Sequence, residues 1–422
     1  MKMLTRTLCL LLIAVSCLLS SARSQSILDP TDPIITYNAA SPPASPAWNT
    51  IGKWVRTVRV SWNTSNYKCY VYNGIPFRLR FPKSYNPTAN DGKKYPMMVF
   101  FHGSGEGGPA TDNEYQLFHG GQVFDNAVTN GTFDGYVLAM QSSGGGWAEP
   151  AYGYVRDIIN YMITNNKLDP FRVSINGLSA GGGGTWDFGI GYPTYAADIV
   201  PMSMTSLAYL QTAPAALKFT PVWLIQGGLD GSPDPSTSIQ LVNAMNAVGA
   251  DLTYQIFPND GHDTWDDTWA QPTFWPFLLA GYSSNPYALF GRTQFCPGDP
   301  INLTVGLAAG YQAYQWRMNG TIIPGATSNT INVTQLGTYD AQVERNGVWS
   351  DWSHIPVVIS IKQPTVSPAI TIPALTSNVI PALDTSHGVT LQVPTGYASY
   401  LWQAVGGNTT LSTTNTFTAT TP

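Results

Sequence analysis

Between about residue 75 and residue 260, short apolar runs alternate with stretches of helical spacing. Positions 77–81 (Phe-Arg-Leu-Arg-Phe) alternate apolar and polar with period two, as a strand with one buried face does. Positions 95–101, 136–140, 173–175, 199–202 and 222–225 are compact apolar runs, which predict strands buried on both faces, and 252–257 reads as a further strand. Val155, Ile158, Ile159, Met162 and Ile163 share one face of a predicted helix, and so do Ile239, Val242 and Met245. Strands that alternate with helices predict an α/β class domain: a mostly parallel, doubly wound sheet with helices on both faces.

Helical spacing ends near Tyr282. Residues 286–422 carry only nine charged side chains and are rich in Thr, Asn, Gly and Pro. This tail repeats itself. Gly310-Tyr311-Gln312-Ala313-Tyr314-Gln315-Trp316 returns as Gly396-Tyr397-Ala398-Ser399-Tyr400-Leu401-Trp402, with the two tryptophans 86 residues apart. That is the length of a β-sandwich, and Trp316 followed by Gly337-Thr338-Tyr339 looks like the core Trp and corner Tyr of an immunoglobulin-like domain. By the same offset, Pro422 corresponds to Leu336. The second module then stops before its corner Tyr, so the sequence is expected to be a fragment, with its last module marginally stable.

The expected organisation is an export signal at 1–24, a linker or extended arm at 25–50, and a catalytic α/β domain at 51–285. An immunoglobulin-like module at 286–362 and a truncated second one at 363–422 follow. Lys2 and Arg6 supply the positive start of the signal, 8–19 an apolar run, and Ala22 and Ser24 the small residues before cleavage at Gln25. Lipoprotein processing at Cys17 fits less well, because the apolar run continues past the cysteine. The expected location is therefore extracellular.

Only 11% of the 422 residues are charged, and the net charge of -5 leaves no electrostatic footprint for nucleic acid. No basic cluster suggests a membrane surface beyond export. Cys69 and Cys296, which remain after cleavage, are too few for a disulfide framework or a zinc site, and no cofactor or metal is expected.

The chemistry lies in Asn176-Gly177-Leu178-Ser179-Ala180-Gly181-Gly182. Its Gly-x-Ser-x-Gly follows a predicted strand and precedes a predicted helix, the context a nucleophile elbow requires. A serine alcohol needs a base. His262 lies in a loop after the 252–257 strand, where the chain order Ser…Asp…His places it. His102, directly after a strand in His102-Gly103-Ser104-Gly105, reads as structural, with the Ser104 N–H and the Ala180 N–H as the oxyanion donors. His119 follows no predicted strand, and His354 and His387 lie in the tail. Asp230, near the end of the 222–225 strand, is the candidate acid, and Asp234 its competitor. Trp147, in Gly144-Gly145-Gly146-Trp147, offers a ring either to a sugar or aromatic acyl group or to packing under its loop. It and Glu106 are the candidate substrate-binding residues.

These segments resemble a known family. Residues 94–107 look like the oxyanion segment of esterases often labelled predicted peptidases, which are related to feruloyl and acetyl esterases and to polyhydroxybutyrate depolymerases. Residues 177–187, 221–230 and 261–266 resemble their nucleophile, acid and histidine segments. The resemblance implies an α/β-hydrolase fold and metal-free ester hydrolysis, often on plant cell-wall polysaccharides. A peptidase, a polyhydroxyalkanoate depolymerase and a non-catalytic binding protein are the rivals. Two departures touch the pocket: Gln226 stands where the family has His, and Gly107 where it has Arg. The tail resembles immunoglobulin-like modules of secreted bacterial enzymes, which would contact glycans or a cell surface. Those modules pair an early Cys such as Cys296 with a later one. Val348 stands near the second position, so the bridge is expected to be lost.

Overall fold

The computed structural model describes residues 26–362, 369–372, 388–397, 399–405 and 409–420. The expected export signal and His387 lie outside the described residues. No helix among the described residues is long and apolar enough to cross a membrane. The chain divides into two compact units, Met1–Ile361 and Lys362–Pro422.

The first unit is built on a nine-stranded sheet. In chain order its strands are β1 (Ile51–Lys53), β2 (Tyr67–Tyr72), β3 (Ile75–Arg80), β4 (Tyr95–Phe101), β5 (Tyr136–Met140), β6 (Leu168–Leu178), β7 (Asp198–Met202), β8 (Val222–Gly227) and β9 (Leu252–Phe257). In space they run β9-β8-β7-β6-β4-β5-β3-β2-β1. The strands from β4 onward are parallel to one another, as the compact apolar runs predict. β1 to β3 are antiparallel. β3 does not keep the single buried face that its alternation predicts: Arg78 is fully buried as well, with its guanidinium donating to the Thr64, Tyr67 and Asn113 carbonyls. Every residue of β4, β5, β7 and β8 is buried, which is why these strands read as unbroken apolar runs.

Among the described residues seven helices accompany the sheet: α1 (Gly121–Asn130), α2 (Ala151–Asn165), α3 (Ala180–Gly191), α4 (Tyr209–Leu217), α5 (Pro235–Ala247), α6 (Trp265–Ala270) and α7 (Phe274–Ala280). One apolar cluster joins α2 and α3 to one face of the sheet. A second joins α1, α6 and α7 to the other. α2 buries Val155, Ile158, Ile159 and Met162 as its spacing predicts. α5 corrects its prediction: it buries Ser238, Leu241 and Met245, while Ile239 is exposed.

The segment expected as a linker or arm is docked at its start. Leu28 is buried in the main core, the Ser26 hydroxyl donates to Asn166 (2.7 Å), and the Tyr70 hydroxyl donates to Asp32 (2.8 Å). Ile35–Thr36 adds a short parallel pairing to Val55–Arg56. Burying Leu28 alone contributes about 2 kcal/mol.

Residues 287–361 form two small sheets around one core. Tyr287–Ala288, Leu303–Gly306 and Thr330–Val333 make one. Gln294–Phe295, Val357–Ile361, Gly337–Arg345, Ala313–Met318 and Thr321–Ile322 make the other. Trp316 is fully buried there and the Tyr339 hydroxyl donates to the Gln335 carbonyl (3.0 Å). In the second unit, Val389–Gln392 pairs with Thr416–Ala419. The sequence repeat is also a repeat of contacts. The Trp316 indole donates to the Ser328 carbonyl, and the Trp402 indole to the Thr414 carbonyl, both at 2.9 Å. The Tyr311 N–H donates to the Tyr314 hydroxyl, and the Tyr397 N–H to the Tyr400 hydroxyl. Cys69 is buried and Cys296 exposed, both as free thiols.

Candidate active site

Ser179 sits in the tight turn from β6 into α3, at φ 52° and ψ −122°. A side chain there costs about 1–3 kcal/mol of backbone strain. Crowding on every side holds it. The Ser179 N–H donates to the Met202 carbonyl (2.9 Å). A Cβ on Gly177 would lie 2.3 Å from the Gly181 carbonyl oxygen, and one on Gly181 would lie 1.9 Å from that of Phe101. Only glycine fits either position, which is the physical reason for the Gly-x-Ser-x-Gly spacing.

The geometry of the three candidate catalytic groups is a continuous relay. Ser179 Oγ donates to His262 Nε2 at 2.8 Å, and His262 Nδ1 donates to Asp230 Oδ2 at 2.9 Å. They come from the ends of three different elements, in the chain order Ser…Asp…His. The fold is that of an α/β-hydrolase.

Each triad member has its own support. Asp230 is buried and its other oxygen accepts the Ser232 N–H (2.8 Å). Gln226 reaches toward Asp230 (3.4 Å) and donates to the Pro233 carbonyl (3.1 Å). Its oxygen accepts the Ser238 hydroxyl (2.6 Å). The histidine loop is tied down at Thr264, whose N–H donates to the His262 carbonyl and whose hydroxyl pairs with Ser203 at 2.7 Å. Asp234, the competing acid, does something else. Its carboxylate accepts the Ser236 N–H (2.8 Å) and caps α5.

Ala180 and Ser104 each open a helix, α3 and the 3-10 turn Ser104–Glu106 respectively. The first N–H groups of a helix have no intrahelical acceptor. The two turns adjoin at the nucleophile: a Cβ on Gly103 would lie 3.5 Å from Ser179 Cβ. The N-terminus of α3 adds a favourable field for negative charge. His102 is structural. Its Nδ1–H donates to the Gly103 carbonyl (2.6 Å) and its Nε2 accepts the Ser142 N–H (2.9 Å), which fixes the neutral tautomer. Burial pushes its pKa below the ordinary value, against smaller opposing effects of the Gly103 carbonyl and Glu106.

Both candidate substrate-binding residues are engaged within the protein, and for Trp147 this is the packing alternative. Glu106 is buried and its carboxylate is held by His119, so it is not available to a substrate. The Trp147 indole N–H donates to the His102 carbonyl (2.9 Å), and its ring packs edge-on against Phe101 and His102. It braces the oxyanion segment. Sequence reasoning missed His119, Gln226, Ser203 and Thr264. Only Gln226 carried a signal, as a departure from the family pattern.

No protein-family model matches the chain, and no curated protein does. Among solved structures the chain is similar to a thermostable esterase at 24% identity, with a TM-score of 0.45 over 51% of this chain and 63% of that one. It is similar to a ferulic acid esterase at 19% identity, with a TM-score of 0.39 over 48% of this chain and 91% of that one. A feruloyl esterase module from Clostridium thermocellum, complexed with sinapinate, gives 16% identity and a TM-score of 0.38 over 58% and 93%. The chain spans less than two thirds of the thermostable esterase.

Proposed function

We propose that the chain is a secreted serine carboxylic-ester hydrolase acting on acyl or feruloyl esters of polysaccharides. The observation that carries the enzymatic reading is the Ser179–His262–Asp230 relay on a strained elbow. Ser179 Oγ attacks the ester carbonyl carbon as His262 Nε2 takes its proton. Asp230, on the far side of the ring, holds the tautomer and stabilises the imidazolium. The Ala180 and Ser104 N–H groups receive the developing oxyanion, each contributing ~3–4 kcal/mol to lowering the barrier. His262 then protonates the departing alcohol. Water repeats the sequence on the acyl-enzyme and frees the acid.

The resemblance to feruloyl and acetyl esterases supports the substrate class, and the positive start and apolar run before Gln25 support export. The paired Trp and Tyr contacts of the two tail segments support immunoglobulin-like modules that contact a glycan or cell surface. An aryl phosphonate tests the core of the reading. It should label Ser179 in the wild type and nothing in Ser179→Ala. A panel of aryl acetates, feruloylated and acetylated xylans and peptide anilides then ranks the acyl donors. Absence of labelling, or cleavage of the anilides alone, would overturn the esterase reading.

A further inference from the structure

We propose that His119 is a positioning residue for the reaction: its imidazolium, held on the Glu106 carboxylate, fixes the turn that presents the Ser104 N–H to the oxyanion. This rests on the esterase reading above.

Glu106 belongs to the same short turn as Ser104 and is buried to 3% exposure. A buried carboxylate needs a charged or hydrogen-bonding partner. His102 is not that partner, because its Nδ1–H is committed to the Gly103 carbonyl and its Nε2 accepts from Ser142. His119 Nδ1 donates to Glu106 Oε1. The other oxygen packs under the turn itself, 3.0 Å from where a Gly103 Cβ would be. The pair therefore pins the turn at Glu106, two residues from Ser104, with the second carboxylate oxygen lying beside Gly103.

His119 is itself held. Arg78 is fully buried and donates to the Asn113 carbonyl (2.9 Å), and Arg56 pairs with Glu114 (3.0 Å), which anchors the loop leading to His119. The His119 ring lies 5.2 Å from that of Trp265, and Trp265 lies 6.0 Å from the His262 ring. One imidazole thus links the oxyanion turn to the histidine loop. The titratable groups facing it are Glu106 from the turn and Asp263 and Asp266 from the histidine loop and α6. Burial works against its charge, but the Glu106 hydrogen bond and the three carboxylates outweigh it and raise its pKa above 6.5. The clamp is complete below that raised value and loosens as pH rises through it.

The test compares wild type, His119→Ala, His119→Lys and Glu106→Gln on a soluble aryl acetate across pH, after circular dichroism and thermal unfolding have shown each variant to be folded and phosphonate labelling has shown Ser179 of the wild type to be reactive. A small misplacement of a donor costs about 100-fold in rate. His119→Ala and Glu106→Gln should lower kcat by that order with KM nearly unchanged, and weaken a tetrahedral boronate inhibitor in proportion. His119→Lys should recover part of kcat and lose the alkaline fall expected of the wild type. Wild-type kcat in His119→Ala, or a loss confined to KM, would overturn the proposal. A wild type that neither labels nor hydrolyses would instead defeat the esterase reading.

Discussion

Arg345, on the longest strand of the β module, donates its guanidinium N–H groups to the main-chain carbonyls of Pro170 and Thr194 in the catalytic domain. Its charge lies over the Tyr195 ring at 4.1 Å, the Tyr311 hydroxyl donates to the same Thr194 carbonyl, and the rings of Tyr282 and His354 stack at 3.8 Å. This is a fixed interface. Arg345→Ala leaves the buried Pro170 carbonyl without its donor and the Thr194 carbonyl with Tyr311 alone, and should cost about 1–3 kcal/mol. Truncation after residue 285 should lower Tm further, although it removes no triad atom. Urea unfolding checks both; an unchanged midpoint would mean that the module is only tethered.

Asp230 and Asp234 lie four residues apart and do separate work. Asp230→Asn should lower kcat by about 10³–10⁴-fold, because an amide cannot hold the imidazolium or its tautomer. Asp234→Ala should cost about 1 kcal/mol of stability through the lost cap, with kcat unchanged. Steady-state kinetics and denaturant midpoints on the two variants separate the roles, and a swapped pattern would move the acid to Asp234.

What the sequence made legible follows from how local the constraint is. The elbow is legible because glycine at 177 and 181 is required by contacts within a few residues or at the neighbouring strand end. The central strands are legible because burial on both faces leaves no alternation. The antiparallel strands β1 and β2 are not, since direction depends on partners and leaves no mark on a six-residue run. α5 misled for a related reason. Ser238 occupies a buried position by bonding Gln226 and Thr205, and so displaces the apolar stripe from Ile239. Glu106 and His119 are 13 residues apart and meet only because the loop between them is folded by Arg78. No spacing rule reports such a pair.

Gly227, at the end of β8, marks where the acid strand touches the histidine loop. A Cβ there would lie 1.8 Å from the Gly261 carbonyl oxygen, next to His262. That oxygen is backbone, so the loop must move. Gly227→Ala should lower kcat/KM by about 100-fold or more while circular dichroism stays native. Wild-type kinetics in this variant would show that the loop has slack the structure does not reveal.

Asp251 precedes β9, with its N–H on the Lys218 carbonyl and its own carbonyl accepting from Val222. Its side chain has no cationic neighbour, and burial raises its pKa from 3.8 to about 6. A carboxyl raised in the folded state binds its proton more tightly there than in the unfolded chain. Its contribution is complete below pH 3.8 and is lost as pH rises through about 6. Above that, the ionised, half-buried group destabilises the fold by roughly 1–2 kcal/mol, after discount for its remaining solvent contact. Asparagine keeps the backbone bonds and removes the charge. Asp251→Asn should therefore melt about 2–6 °C above wild type at pH 8 and level with it at pH 4. Asp198 is buried with a pKa raised well above 3.8 and adds its own pH dependence, but both proteins share it and it cancels in the difference. An offset of the same size at both pH values would mean that the substitution acts by packing and not by charge.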